Sequence, residues 1–323
     1  MPAVQPEELL KDLEKVWAGL GKQDDAGQGV LRACAMTFLV VTEAGSASGS
    51  NIGETLAALM PEHPSRAVVV VLDPRAADIS ARVFAQCWMP FGRRQQICCE
   101  QIEITTPRDR LRDIATVILG LIVPDLPVVM WSRCPSLFEL PEYNRLLPLI
   151  DKLIVDSAAV PDPAAFLRRL RAMPDLLVAD LDWTRLTRWR ETVASVFENP
   201  EFLEKLPSIR RVTVSYGGSR PPTRALYLAA WLAQCTGGKV PPVLRAEESH
   251  AGVTGLELQA DGLTVSLHLA GGSQAELHAG SLVSLLSFER PNDYLVLREE
   301  LTILGRDPAF DNAFAGAIAL SAQ

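Results

Sequence analysis

Apolar residues recur at spacings of three and four at the start of the chain. Leu9, Leu10, Leu13, Val16, Trp17 and Leu20 form one stripe and predict a helix from Pro6 to Leu20. Gly21 to Gly29 is rich in Gly, Gln and Asp and predicts a loop. From Ala35 the pattern changes to alternating strands and helices. Met36 to Thr42 predicts a strand and Asn51 to Met60 a helix. Ala67 to Leu72, AVVVVL, is continuously apolar, as expected of a strand covered on both faces. Gln96 to Thr105 alternates, predicting a strand with one wetter face. Arg108 to Leu121 predicts a helix, Leu126 to Trp131 a buried strand, Asn144 to Ile150 a short helix and Lys152 to Asp156 a strand. Asp162 to Ala172 predicts a helix with Pro163 in its first turn.

Leu186, Trp189, Val193 and Val196 stripe a helix from Leu181 to Phe197, with Asp180 or Asp182 as its cap. Ile209 to Tyr216 predicts a strand, and Thr223 to Gln234 a helix stopped by Gly237-Gly238. Beyond Val240 the segments shorten. Leu256 to Gln259, Leu263 to Ala270 and Gln274 to His278 alternate, and Asp261-Gly262 and Gly271-Gly272 between them are hairpin signals. Asp293 to Leu304 predicts a further strand or a strand–helix boundary, and Ala309 to Leu320 a terminal helix. The fold class expected is α/β. Residues 1–199 form an N-terminal three-layer domain, with leading helix 6–20 and a mainly parallel, Rossmann-like sheet. Residues 200–323 form a smaller C-terminal α+β domain with an antiparallel meander.

The length of 323 residues also suits two domains. With 48% hydrophobic and 22% charged residues the chain is expected to fold. Its net charge of -8 disfavours general binding to nucleic acid. The longest apolar stretch, Ile114 to Val123, falls short of the roughly 20 residues that span a bilayer. The polar, acidic N-terminus does not read as a secretory signal. No membrane association and a cytoplasmic location are expected. The six cysteines include no C-x-x-C pair and no zinc spacing, so reduced, buried thiols are expected. The Cys98-Cys99 pair and Cys134 leave a redox role open.

Three segments are candidates for chemistry. Gly45, Gly49 and Gly53 punctuate a strand-to-helix loop where backbone N–H groups could hold a phosphate, and Asp73 follows at the position of a ribose-binding acid. Their spacing is G-x-x-x-G-x-x-x-G, not G-x-G-x-x-G, and no Walker lysine is present, so a nucleotide-binding enzyme is the alternative reading. The four histidines, His63, His250, His268 and His278, fit no catalytic or metal motif. No catalytic residue, cofactor or metal is assigned. The third segment, Asp180 to Glu191 (DLDWTRLTRWRE), holds Trp183, Arg185, Arg188, Trp189 and Arg190. Trp and Arg are enriched at interface hot spots, and Arg also pairs bidentately with carboxylates. These residues are candidates for partner binding or for locking domains together.

Several segments, in order along the chain, resemble the OpcA family of glucose-6-phosphate dehydrogenase assembly proteins. They are His63-Pro64-Ser65-Arg66, Val123 to Trp131 (VPDLPVVMW), Val155-Asp156-Ser157, Asp162-Pro163, Ala179 to Arg190 and Ala230-Trp231-Leu232-Ala233. Ala179 to Arg190 is similar to the family's DLAWTRLTPWR, and Val123 to Trp131 to its LLPDLPVVLWW. The chain departs from the family at Ser132, Arg188 and Asp182, where Trp, Pro or Tyr, and Ala are common. The resemblance spans roughly residues 35 to 235. It implies a non-enzymatic protein that binds glucose-6-phosphate dehydrogenase, helps it assemble and raises its activity, supporting the oxidative pentose phosphate pathway and NADPH production. His63, Arg66 and Trp131 join the five Trp and Arg residues above as partner-binding or domain-locking candidates.

Overall fold

The computed structural model describes residues 4–22, 30–45, 52–90, 95–134, 138, 140–158, 160–173, 176–248 and 252–322. Contacts divide the chain into two compact units. The first is Met1–Asp156 with Asp175–Ala179 and Asn292–Leu304; the second is Ser157–Pro174 with Asp180–Pro291 and Gly305–Gln323. The units are thus drawn differently from a single cut between 199 and 200. They match the expected fold class: a helix-flanked, mainly parallel sheet and a smaller, mainly antiparallel one.

Among the described residues the first unit's sheet has eight strands. They are β1 (Val30–Arg32), β2 (Met36–Glu43), β3 (Ser65–Leu72), β4 (Ser80–Trp88), β5 (Gln96–Thr106), β6 (Val128–Ser132), β7 (Lys152–Val155) and β8 (Leu177–Asp180). The order is β1-β5-β3-β2-β6-β7-β8, with β4 on β5. β2 lies between β3 and β6, parallel to both, and is buried over Met36 to Thr42. That position explains the unbroken apolar runs of β2 and β3, since neither face of a central strand meets water. β4 instead runs antiparallel to β5. It escaped sequence reading because nearly every residue of it is half-buried, so its apolar positions do not alternate.

Besides α2 (Ile52–Leu59), the first unit carries helices α1 (Pro6–Lys22) and α3 (Leu111–Leu121), which meet this sheet through a polar knot. Arg66 Nε donates to Glu100 Oε2 at 2.6 Å and Arg66 Nη1 to the Leu121 carbonyl at 2.9 Å. Trp17 Nε1 donates to Glu100 Oε1 at 2.7 Å. One buried carboxylate therefore ties α1, β3 and β5 together, and its arginine closes the end of α3.

Residues 292–304 return to this unit from far along the chain. The strand or strand–helix boundary expected there is corrected to a helix: Asp293–Glu300 is α9, whose N-terminus Asn292 caps by accepting from Leu295 N at 3.0 Å. Ion pairs fasten it to the rest of the unit. Lys152 Nζ donates to Glu300 Oε1 at 2.6 Å, Arg298 Nε to Glu62 Oε2 at 2.8 Å, and Arg133 Nη2 lies 3.5 Å from Asp293 Oδ2. The expected helix Asn144 to Ile150 is two 3-10 turns, Tyr143–Arg145 and Leu147–Leu149, the second carrying Pro148.

Cys87 and Cys98 stand directly opposite each other on β4 and β5 and form a disulfide. This corrects the expectation of reduced thiols throughout. Cys99 and Cys134 are buried free thiols, whereas Cys34 is half-buried and Cys235 exposed.

Among its described residues the second unit carries a six-stranded sheet in the order β10-β9-β11-β12-β13-β14. Its strands are β9 (Arg211–Gly217), β10 (Pro242–Glu247), β11 (Gly252–Ala260), β12 (Leu263–Gly271), β13 (Gln274–Ala279) and β14 (Leu282–Ser287). β10 is parallel to β9; the other pairs are antiparallel, including the expected meander β11-β12-β13. Around the sheet lie α4 (Pro163–Arg171), α5 (Leu181–Thr184), α6 (Thr187–Val196), α7 (Pro200–Leu203), α8 (Thr223–Cys235) and α10 (Pro308–Ser321). The single helix expected over Leu181 to Phe197 is corrected to α5 and α6, broken at Arg185-Leu186. Helices α8 and α10 pack closely at Gly316, where a Cβ would stand 2.8 Å from that of Ala230. No helix among the described residues is long and apolar enough to cross a membrane.

Candidate functional site

The unusual Trp/Arg segment is organised by Asp180, which ends β8 and caps α5. Its carboxylate is fully buried and accepts from Asp182 N at 3.0 Å, Ser157 N at 3.1 Å and Tyr227 Oη at 2.9 Å. Three donors compensate the removal of one charge from water. Asp182, also buried, receives the Arg224 guanidinium through Nε at 2.9 Å, and Arg185 Nη1 lies 3.8 Å from the same oxygen.

The tryptophans point inward. Trp183 is buried, donates from Nε1 to Asp307 Oδ2 at 3.1 Å, and meets Tyr227 edge-on with centroids 6.2 Å apart. Arg190 places its guanidinium 3.8 Å from the Trp183 ring centre and donates to Thr187 Oγ1 at 2.8 Å. Trp189 is buried edge-on against Phe288, with centroids 5.2 Å apart. Arg188 alone of the five is exposed, with its guanidinium 5.9 Å from the Phe288 ring. Arg185 and Arg190 are half-buried. The segment thus builds an internal frame of the second unit and presents Arg188 at its surface. Asp180, Asp182, Tyr227 and Arg224 complete that frame. In the sequence the two aspartates read as caps and as partners for the segment's arginines, whereas nothing local marks Tyr227 or Arg224.

The remaining candidates lie in the first unit. Arg66 is the buried centre of the knot described above. His63 is half-buried, with Nε2 3.1 Å from the Arg298 carbonyl. Trp131 is buried on β6, its Nε1 without a partner among the described residues, and the Arg133 guanidinium lies 4.8 Å from its ring.

The Gly-rich loop borders a cleft of about 600 Å³ in the same unit. Gly45, with φ +73°, and Gly53 line it, while Gly49 lies outside the described residues. Val69, Val71, Gln101, Phe84, Arg82, Glu103, Glu54 and Glu43 also line it. Three carboxylates and the guanidinium groups of Arg82 and Arg133 line it; Arg82 pairs with Glu103 at 2.7 Å, and Arg108 pairs with Glu43. Asp73 accepts from its neighbour Arg75, N to Oδ1 at 2.9 Å; that N–H holds its carboxyl below the usual range. His268 and His278 sit on neighbouring strands of the second unit, and His250 lies outside the described residues. Among the described residues no group of three or more His, Cys, Asp or Glu is placed to hold a metal.

The buried hydroxyls and thiols set a pH limit on the fold. Burial, then the Asp180 charge, pushes Tyr227 well above an ordinary phenol; burial does the same to Tyr143 and raises Cys99 to about 11. Unfolded tyrosines release protons near pH 10, whereas the folded ones retain them. Unfolding above that pH therefore releases protons, and stability falls as pH rises. Denaturant midpoints measured from pH 8 to 11 are expected to decline above about pH 10. Tyr227→Phe is expected to flatten that decline.

The fold and the framed segment define a two-unit α/β protein whose most unusual residues serve one another before any ligand. Residues 57–172 match the family model for the glucose-6-phosphate dehydrogenase subunit N-terminal domain, and residues 177–314 that for its C-terminal domain. The chain belongs to the OpcA family. A putative OxPP cycle protein OpcA from Synechocystis is 32% identical over 193 residues, covering 57% of this chain and 39% of that protein. Its counterpart from Synechococcus elongatus is 28% identical over 221 residues, covering 66% and 49%. The chain therefore spans less than half the length of these curated relatives. Among solved structures, a putative oxidoreductase from Bacillus subtilis is similar at a TM-score of 0.49 and 12% identity, covering 88% of this chain and 95% of that one. The transcriptional regulator Gal80p from Kluyveromyces lactis gives 0.46 and 12%, covering 90% and 91%.

Proposed function

We propose that the chain is a non-catalytic partner of glucose-6-phosphate dehydrogenase that promotes its assembly and activity, in the cytoplasm. The observation that carries this reading is the succession of two family models, both described as domains of a subunit of that enzyme, over residues 57–172 and 177–314. The framed Trp/Arg segment lies where the second model begins. In physical terms, such a partner binds the active state of the enzyme more tightly than the inactive state. It shifts the population only by that difference, about 1.4 kcal/mol for each factor of ten. The reading is tested by size-exclusion chromatography of the chain with the cognate dehydrogenase. Co-elution as one species is expected; separate elution at micromolar concentrations of both overturns the reading.

A further inference from the structure

The cleft of the first unit holds a polar group that the fold does not satisfy. Gln101 of β5 lines it and is only 3% exposed, and its Oε1 accepts no hydrogen bond among the described residues. Ala67 of β3 and Phe84 of β4 stand directly beside Gln101 in the sheet, and neither side chain carries a donor. Glu103, two positions along β5 on the same face, pairs with Arg82 as a carboxylate, which only accepts. A buried amide oxygen without a donor is costly, so it marks a place where a donor from outside belongs. The cleft also lies where open α/β sheets take their ligands. Thr42 and Glu43 end β2, Ala44 and Gly45 follow it, and Arg133 follows β6; all five line the cleft. β2 and β6 are neighbours, yet the chain passes from β2 through α2 to β3 on one side, and from β6 to β7 on the other. The crevice at such a switch point is the usual ligand site of these sheets.

We propose that this cleft binds the ring of an uncharged sugar, free or as the ribose of a nucleoside, with a ring hydroxyl donating to Gln101 Oε1. A hydroxyl both donates and accepts, so it satisfies the amide whichever way its oxygen and nitrogen are turned. The carboxylates of Glu103 and Glu54 accept from further hydroxyls, the stronger kind of hydrogen bond because the acceptor is charged. Phe84, half-buried, supplies with Val69 and Val71 the apolar surface that the C–H face of a sugar ring covers. Charge favours a neutral ligand. Among the described residues the lining has three carboxylates against two guanidinium groups, and both guanidinium groups already face carboxylates. Arg82 meets Glu103 at 2.7 Å, and Arg133 Nη2 lies 3.5 Å from Asp293 Oδ2. No surplus of positive charge remains for a phosphate. The volume of about 600 Å³ lies within the range usual for small-molecule sites. The proposal concerns the chain alone and does not rest on the function proposed above.

The test is saturation-transfer NMR on the full chain without the enzyme, with D-glucose, D-ribose and adenosine as separate probes. Transfer to sugar C–H protons is expected for at least one probe, saturating as that probe is titrated. Transfer to a free sugar and none to adenosine assigns the site to a free sugar; strongest transfer to adenosine assigns it to the ribose of a nucleoside. Gln101→Leu is expected to weaken binding at least tenfold. Without ligand it is expected to melt no lower than the unaltered chain, because an apolar side chain of similar size removes the orphaned oxygen. Phe84→Leu keeps Gln101 and is expected to weaken binding at least threefold, and it decides the matter should Gln101→Leu fail to fold. No transfer to any of the three probes at millimolar concentrations overturns the proposal, and so does unchanged binding in both variants. A melting temperature raised by inorganic phosphate and by none of the three probes assigns the cleft to an anion and overturns it as well. None of these results bears on whether the chain binds the dehydrogenase.

Discussion

Glu300→Ala is expected to destabilise the first unit by about 3–5 kcal/mol, as removal of one partner from a buried ion pair does. Lys152 and Glu300 are both buried, and the lysine ammonium donates to the carboxylate at 2.6 Å, to the Glu300 carbonyl at 3.3 Å and to the Ile303 carbonyl. Alanine at 300 strands a cation at the junction of β7 and α9. The loss also weakens the hold on a segment that reaches this unit from nearly 150 positions away in sequence, so closing its loop is entropically costly. The variant Lys152→Met/Glu300→Leu is expected to recover most of the stability, because an apolar pair of similar volume needs no compensation for burial. Urea unfolding of the two variants and the unaltered chain separates these outcomes. Equal destabilisation of both variants would show that packing at the site, and not the stranded charge, is what matters.

The second large effect is expected at Asp180. Asp180→Ala leaves Ser157 N, Asp182 N and Tyr227 Oη without their shared acceptor, in a place water does not reach. A hydrogen bond to a charged group is worth about 1.5–3 kcal/mol. The variant is therefore expected to lose about 3 kcal/mol or more. Tyr227→Phe removes one of the three donors and is expected to cost less, about 1.5–3 kcal/mol. In a double-mutant cycle the two losses should not add, since the second removes a bond the first has already broken. Additive losses in urea unfolding would mean that the two residues act independently.

Much of the fold was legible because buried elements must satisfy a pattern. Central strands such as β2 and β3 have both faces covered, so their runs of valine and leucine are compulsory. The hairpins at Asp261-Gly262 and Gly271-Gly272 were legible because Gly262, Gly271 and Gly272 take positive φ that side chains resist. Edge and rim strands carry no such obligation. β1, β4, β10 and β14 are half-buried or exposed over much of their length, and no clean alternation marks them. In α9 the consecutive Leu295-Val296-Leu297 reads equally as strand or helix; only Val296 and Leu297 are buried, and that depends on what the helix packs against.

The Trp/Arg segment was legible as unusual, but its role was not. The partners that decide it are distant: Asp307 lies 124 positions from Trp183, Tyr227 lies 47 from Asp180, and Phe288 comes from just beyond β14. A spacing rule reaches three or four residues along a helix and sees none of these. The disulfide was hidden for the same reason, since Cys98 pairs with Cys87 across β4 and β5 and not with its neighbour Cys99.

The proposed function requires that this chain bind glucose-6-phosphate dehydrogenase and shift it toward its active state. The most direct test is the rate of the cognate enzyme, followed by NADPH absorbance, as the chain is titrated in at several substrate concentrations. A saturable rise in rate or in apparent substrate affinity is expected, reaching its plateau at the ratio at which the two proteins co-elute. A rate that stays constant at every ratio, with enzyme and chain eluting apart, would contradict it.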